Sequence, residues 1–194
     1  MQTNDSNAAA DVATIHDPRQ LRHILIAVCV ALMAAISSVT GLNVAQPPLA
    51  LDLNASHSDV LWMINIYAIT LAALLLPLGA VGDRWGRKPV LLAGLVIFGV
   101  ANLAAGLAPS TSAMLAARLL CGVGAAMIMP VTLSVITTVF PEEERSKAIG
   151  VWTAVAGGGG ILGMFLSAVL VDTIGWRWLF ALPIALVIVS AVMS

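Results

Sequence analysis

Gly79-Ala80-Val81-Gly82-Asp83-Arg84-Trp85-Gly86-Arg87-Lys88-Pro89 separates two long apolar runs, 60–81 and 89–107, and packs one acid and three bases into six residues. Its glycines permit a tight turn and close helix approach. Asp83 can cap a helix start and pair with a neighbouring arginine, and Pro89 suits a first helical turn. A short basic connection between two runs that each approach the roughly 20 residues needed to cross a bilayer reads as a loop joining two membrane-spanning helices. Its charge fixes the side on which the chain turns.

The rest of the sequence extends this pattern. The 194 residues are 60% hydrophobic and 10% charged, with a mean hydropathy of +0.99, which excludes a soluble core beneath a solvated surface. Apolar runs at 23–45, 60–81, 89–107, 112–139, 147–170 and 177 onward predict six spanning helices, so the chain reads as an all-α integral membrane protein with the lipid bilayer as its first partner. Residues 1–20, polar and without an apolar core, read as a disordered cytoplasmic leader, and 21–194 as a six-helix transmembrane bundle. The net charge is -1 and the bases are scattered through short loops, which argues against nucleic acid as a partner. Cys29 and Cys121 lie inside apolar runs with no CxxC or His-rich spacing nearby, so they read as packing residues and no metal site is indicated.

Seven of the 9 Lys and Arg residues fall on one side of this arrangement: Arg19 and Arg22, then Arg84, Arg87 and Lys88, then Arg145 and Lys147. The connections on the other side carry Asp52, His57 and Asp59, a neutral Pro109-Ser110-Thr111-Ser112, and Asp172 with Arg177. That asymmetry predicts both termini in the cytoplasm. An echo of the first loop, Asp172-Thr173-Ile174-Gly175-Trp176-Arg177, recurs three spans later. Three spans reverse the orientation, so the echo predicts two inverted three-helix repeats, a plan that places a transporter's site at the repeat interface.

Arg118 lies inside an apolar run, where a guanidinium costs at least about 3 kcal/mol and needs a partner, a wet cavity or a function. The alternative is an arginine snorkelling outward from about two turns into its helix. The first run ends in Ser37, Ser38, Thr40, Asn43 and Gln46 before Pro47-Pro48, and the second contains Asn65 and Tyr67. Such side chains either line a path or hydrogen-bond between helices. Glu142-Glu143-Glu144-Arg145-Ser146-Lys147 reads as a solvated connector whose acids favour the following helix start. Gly157-Gly158-Gly159-Gly160 is not a phosphate loop, because no Lys-Ser/Thr follows and the segment lies in membrane.

The Gly79–Pro89 loop resembles the major facilitator superfamily signature Gly-x-x-x-Asp-Arg-x-Gly-Arg-Lys/Arg, with Gly79, Asp83, Arg84, Gly86, Arg87 and Lys88 in the matching places. The resemblance implies a cytoplasmic gate formed by these residues. Arg118 through Ala126 is similar to the family's helix 4 signature Arg-x-x-Gln-Gly-x-Gly-Ala-Ala, with Cys121 in place of glutamine. That likeness implies a buried cation influencing proton movement or switching. Val151 to Ala168 resembles the helix 5 signature of drug:proton antiporters, usually ending Gly-Pro-x-x-Gly-Gly, but here ending Gly163-Met164-Phe165-Leu166-Ser167-Ala168. Thr40, Asn43, Ala45 and Pro47 match the antiporters' helix 1 signature Asp-x-Thr-x-x-Asn-x-Ala-x-Pro, with Ser38 in the acidic place. The stretch Trp62 to Tyr67 is similar to that of multidrug members, some of which carry Asp at the position of Asn65.

The likeness points to the fourteen-helix drug:proton antiporter branch and implies the six-helix amino-terminal bundle of a major facilitator fold with 3+3 inverted repeats. It implies an incomplete transporter whose second, carboxy-terminal bundle is missing, or is supplied by a second copy. The implied activity is proton-coupled efflux of a small organic substrate across a bacterial plasma membrane, with the proton gradient as coupling source and no cofactor. Arg118, Ser38, Thr40, Asn43, Asn65 and Tyr67 would form the proton or substrate path, and Gly122, Gly124, Gly159, Gly163 and Ser167 the helix-packing motif. The missing acids at Ser38 and Asn65 favour a metabolite transporter of the same fold as the alternative, and a truncated non-transporting membrane protein is a third reading. No nucleophile with its base suggests an enzyme.

Overall fold

The computed structural model describes residues 18–193, and nearly all of them are helical. The six spans are α1 (Pro18–Val44), α2 (His57–Trp85), α3 (Arg87–Gly106), α4 (Thr111–Val139), α5 (Glu142–Ile174) and α6 (Ala181–Met193), the last entered through a 3-10 turn, Trp176–Phe180. All six are long and apolar enough to cross a membrane when that turn is counted with α6. Of the leader expected over 1–20, residues 1–17 lie outside the described residues, while Pro18, Arg19 and Gln20 already form the first turn of α1.

Local chemistry sets the ends of the helices. Ser56 and Asp59 form a reciprocal capping box at the start of α2, with the Ser56 amide donating to the Asp59 carboxylate at 2.9 Å. Ser110 caps α4 by accepting from the Ala113 amide, and three glutamates occupy the first turn of α5, where the helix dipole favours anions. The connection after α1 is not a simple loop. Gln46–Asp52 makes a short helix of its own, with proline at its first positions, where a missing amide costs nothing.

α1 and α4 lie at the centre. α4 packs against α2 and α3, α1 packs against α5 and α6, and α1 meets α4 as α3 meets α6. Exchanging the first three helices with the last three maps this set of contacts onto itself. Two glycines carry the same symmetry in the backbone: Gly86 before α3 has φ 101° and Gly175 before the turn into α6 has φ 102°. At each, the chain adopts a conformation open only to glycine. The packing and the matched turns bear out the inverted three-helix repeats.

Small residues set the helix spacing. A Cβ on Gly124 would stand 2.8 Å from the Phe98 amide of α3, and one on Gly122 would stand 2.8 Å from the Tyr67 carbonyl of α2. On the α1–α5 seam, a Cβ on Gly163 would meet the Ser37 backbone at 3.0 Å, while Ser167 is buried against Gly41. Gly159 is buried at ordinary contact distance from Met33. Gly157 and Gly158 face open space. Cys29 and Cys121 are free and buried.

Arg177 ties together the end of the bundle opposite the Gly79–Pro89 loop. It donates to the carbonyls of Gly106 and Ala108 at the end of α3, pairs with Asp52 at 2.9 Å, and lies over the Trp176 ring.

Candidate functional site

The serine cap fixes where α4 begins, and two turns later Arg118 points into the packed junction of α1, α2, α3 and α4. Gly122 and Gly124 let α4 approach α2 and α3 closely, and from there the Arg118 side chain reaches both α1 and α2. Arg118 does not snorkel outward; it is 0% exposed. Its Nε donates to the Met63 carbonyl of α2 at 3.2 Å. Its Nη1 donates to the Ser38 carbonyl at 3.3 Å and to the Ser38 hydroxyl at 3.0 Å. The guanidinium lies over the Tyr67 ring, 4.6 Å from its centre, and the Tyr67 hydroxyl donates back to the Ala35 carbonyl of α1 at 3.1 Å.

The network continues into α3. Ser38 Oγ donates to Asn102 Oδ1 at 3.0 Å, and Asn102 Nδ2 donates to the Phe98 carbonyl at 2.8 Å. Ser38 thus accepts from the cation with one face of its hydroxyl and donates to an amide oxygen with the other, an arrangement in which each bond polarises the next. Ser38, Tyr67, Asn102 and Arg118 are all 0% exposed. No carboxylate touches the guanidinium among the described residues: their acids stand at helix ends, at Asp52, Asp59, Asp83, Glu142, Glu143, Glu144 and Asp172. Dipoles and a ring face hold the charge, and Nη2 is left with no hydrogen-bond partner. A buried cation without a counterion is an expensive arrangement. It is kept where α1, α2, α3 and α4 meet.

Sequence reading missed Asn102. Its signal was present, since Asn102 is the only hydrogen-bonding side chain in the apolar run 89–107. Of the six path residues named from the sequence, the structure brings Ser38, Tyr67 and Arg118 together and leaves the others apart. Thr40 donates to its own helix and sits beside Gly163 on the α1–α5 seam. Asn43 is exposed and donates to the Val39 carbonyl. Asn65 is exposed on α2, lining a shallow cavity of about 310 Å³ with Trp62 and Ile69.

In the Gly79–Pro89 loop, Gly79 and Gly82 face α4: Cβ atoms there would meet Pro130 at 3.3 Å and Val131 at 2.9 Å. Asp83 does not cap α3. It belongs to the last turns of α2, and the N-cap of α3 is Gly86, without a side-chain bond. Asp83 Oδ1 accepts instead from Arg87 at 3.4 Å and from Ser134 of α4 at 3.3 Å. Arg84 and Lys88 are exposed. The one acid of the loop therefore links α2, α3 and α4 at the surface, while the remaining bases stay free to meet solvent or another surface.

Comparison with known proteins places this geometry. Residues 26–194 match the profile of the Major Facilitator Superfamily. The chain is 41% identical over 172 residues to the methyl viologen resistance protein SmvA of Salmonella typhimurium, covering 88% of this chain and 34% of that protein. It is 36% identical over 163 residues to the puromycin resistance protein of Streptomyces alboniger, covering 84% and 32%. With the multidrug efflux pump LfrA of Mycolicibacterium smegmatis it shares 39% identity over 158 residues, covering 80% and 31%. The chain thus spans about a third of the length of these curated relatives. In fold it is similar to the POT family transporter PepTSo, with a TM-score of 0.78 at 18% identity, covering 91% of this chain and 37% of that one. It also resembles a bacterial homologue of the lysosomal transporter Spinster, with a TM-score of 0.74 at 20% identity, covering 92% and 44%. With six apolar helices in two inverted triplets, an arginine buried at their junction, and a profile match over nearly all of its spans, the chain belongs to the Major Facilitator Superfamily.

Proposed function

We propose that the chain is the amino-terminal bundle of a proton-coupled exporter of small organic compounds, working with a second bundle in a bacterial plasma membrane. The observation that carries this reading is the buried Arg118 of α4, held by Ser38 of α1 and by Met63 and Tyr67 of α2 without a counterion. A charge kept at that cost, in a chain similar to resistance and efflux proteins, is suited to biasing a switch between two packings of the bundle. The basic loops support a cytoplasmic placement of both termini. The second bundle would dock on α2 and α5, which present most of their surface outward: only Val60, Met63, Tyr67 and Gly82 are buried among the 29 residues of α2.

A chimera tests the proposal. This chain replaces the matching segment of LfrA, and cells expressing it are loaded with a lipophilic dye. Protonophore-sensitive efflux supports the reading, whereas a chimera that reaches the membrane and moves no dye opposes it.

Substrate charge is the point on which a second reading stands. Ser38 and Asn65 are neutral, and among the described residues the charged group at the central junction is a cation. This favours neutral or anionic substrates, including metabolites, over dications. Competition between neutral, anionic and cationic compounds in the same chimera separates the two readings.

A further inference from the structure

Two cavities adjoin along the seam between α1 and α5 and share Arg22, Leu25 and Val151. The first, of about 240 Å³, opens at the end of the bundle that carries the Gly79–Pro89 loop, with Arg22, Lys147 and Glu144 on its rim. The second, of about 350 Å³, runs on between the two helices past Ile26, Cys29, Val30 and Val155 to Met33. From Arg22 to Met33 the helix advances about 16 Å at 1.5 Å per residue, which is half of the roughly 30 Å hydrocarbon thickness of a bilayer. Below the rim no wall residue is charged. Among the described residues the ion pairs are Arg87–Asp83 and Arg177–Asp52, so neither Arg22 nor Lys147 is neutralised by one.

We propose that this seam binds one anionic phospholipid of the inner leaflet, its phosphate between Arg22 and Lys147 and one acyl chain lying along the groove to Met33. A cationic rim above an apolar groove one leaflet deep matches the two ends of such a molecule and matches neither a soluble anion nor a hydrocarbon alone. Guanidinium and ammonium both suit a phosphodiester, and basic pockets between helices at the cytoplasmic surface recognise anionic headgroups. Glu144 on the same rim sets the charge: it leaves a net single positive charge, which suits a singly charged phosphodiester such as phosphatidylglycerol better than a phosphomonoester. The leaflet assignment rests on the cytoplasmic orientation proposed above; the binding itself does not.

The test uses the full chain, purified and delipidated in a neutral detergent, with equal amounts of phosphatidylglycerol and phosphatidylcholine, and bound lipid counted by native mass spectrometry. The wild type retains one phosphatidylglycerol in preference to phosphatidylcholine by at least tenfold. Arg22→Gln and Lys147→Gln each lower that preference about fivefold. Leu25→Trp, which fills the groove and leaves the charges in place, removes the bound lipid. Excess glycerol phosphate leaves the lipid bound, because it offers no chain to the groove. Equal retention of the two lipids by the wild type overturns the proposal, as does a preference that survives both charge substitutions or full displacement by glycerol phosphate. If the charge variants fail to fold, the wild-type ratio and Leu25→Trp decide. This assay reads neither transport nor topology, so its failure and a failure of the efflux assay are distinct results.

Discussion

The guanidinium of Arg118 lies 4.6 Å from the ring centre of Tyr67, and the same tyrosine's hydroxyl reaches across to the Ala35 carbonyl of α1. One side chain of α2 therefore supports the cation of α4 with its face and clamps α1 with its edge. The two roles separate by substitution. Tyr67→Phe keeps the ring and loses a hydrogen bond worth about 1 kcal/mol. Tyr67→Leu also removes the cation–π contact, for a total loss of about 3 kcal/mol. Thermal melts of the purified bundle should rank wild type above Phe and Phe above Leu.

Ser38 stands where an acid would complete an ion pair. Its hydroxyl is 3.0 Å from Arg118 Nη1, so Ser38→Asp places a carboxylate against a guanidinium that has none. A charge-assisted bond is about twice as strong as a neutral one, but an aspartate cannot donate to Asn102 Oδ1 as the Ser38 hydroxyl does, so gain and loss oppose each other and the melting midpoint should move by no more than a few degrees. In the LfrA chimera it should also shift efflux toward cationic dyes. Dye competition reads the second effect independently of the first.

The glycines of the bundle divide by what a methyl group would meet. Gly122→Ala and Gly124→Ala push a Cβ to within 2.8 Å of backbone atoms of α2 and α3 and should each cost about 1–3 kcal/mol. Gly157→Ala and Gly158→Ala meet nothing within 4 Å and should each stabilise the helix by about 0.5–1 kcal/mol. Denaturation in mixed micelles should give opposite signs for the two pairs.

Arg177 and Asp52 form an exposed ion pair at 2.9 Å, yet their removal should not have equal effects. Asp52→Asn removes a surface pair worth about 1 kcal/mol or less. Arg177→Ala also removes two backbone contacts at the end of α3 and the stacking on Trp176. Limited proteolysis of the 106–110 connection should therefore accelerate markedly in Arg177→Ala and little in Asp52→Asn.

Much of this architecture can be read from the sequence, and for a physical reason. A bilayer demands long uninterrupted apolar helices, so all six spans appear as composition, with ends shifted by only a few residues at most boundaries. Gly86 and Gly175 signal their turns because no other residue adopts those dihedrals. Arg118 announces itself by the cost of its charge. What the sequence does not order is which polar side chain faces which neighbour. Asn102 and Asn65 each stand in an apolar run, but one completes the buried network and the other faces outward. That difference comes from helix rotation, which packing of small residues sets and periodicity barely records in helices apolar all round. The helix Gln46–Asp52 lies beyond the apolar run 23–45 and is too short to show as a span, although Pro47 and Pro48 suit its first turn.

The most direct measurement is dye efflux by the LfrA chimera carrying Arg118→Met, compared with the unsubstituted chimera at equal membrane abundance. Arg118→Met removes an uncompensated buried charge but also the bonds to Met63 and Ser38, so the melting midpoint of each chimera, measured alongside efflux, separates a loss of function from unfolding. The account predicts a well-folded protein whose protonophore-sensitive efflux falls at least tenfold. Efflux at the unsubstituted rate would contradict it, leaving the Arg118 network as packing alone.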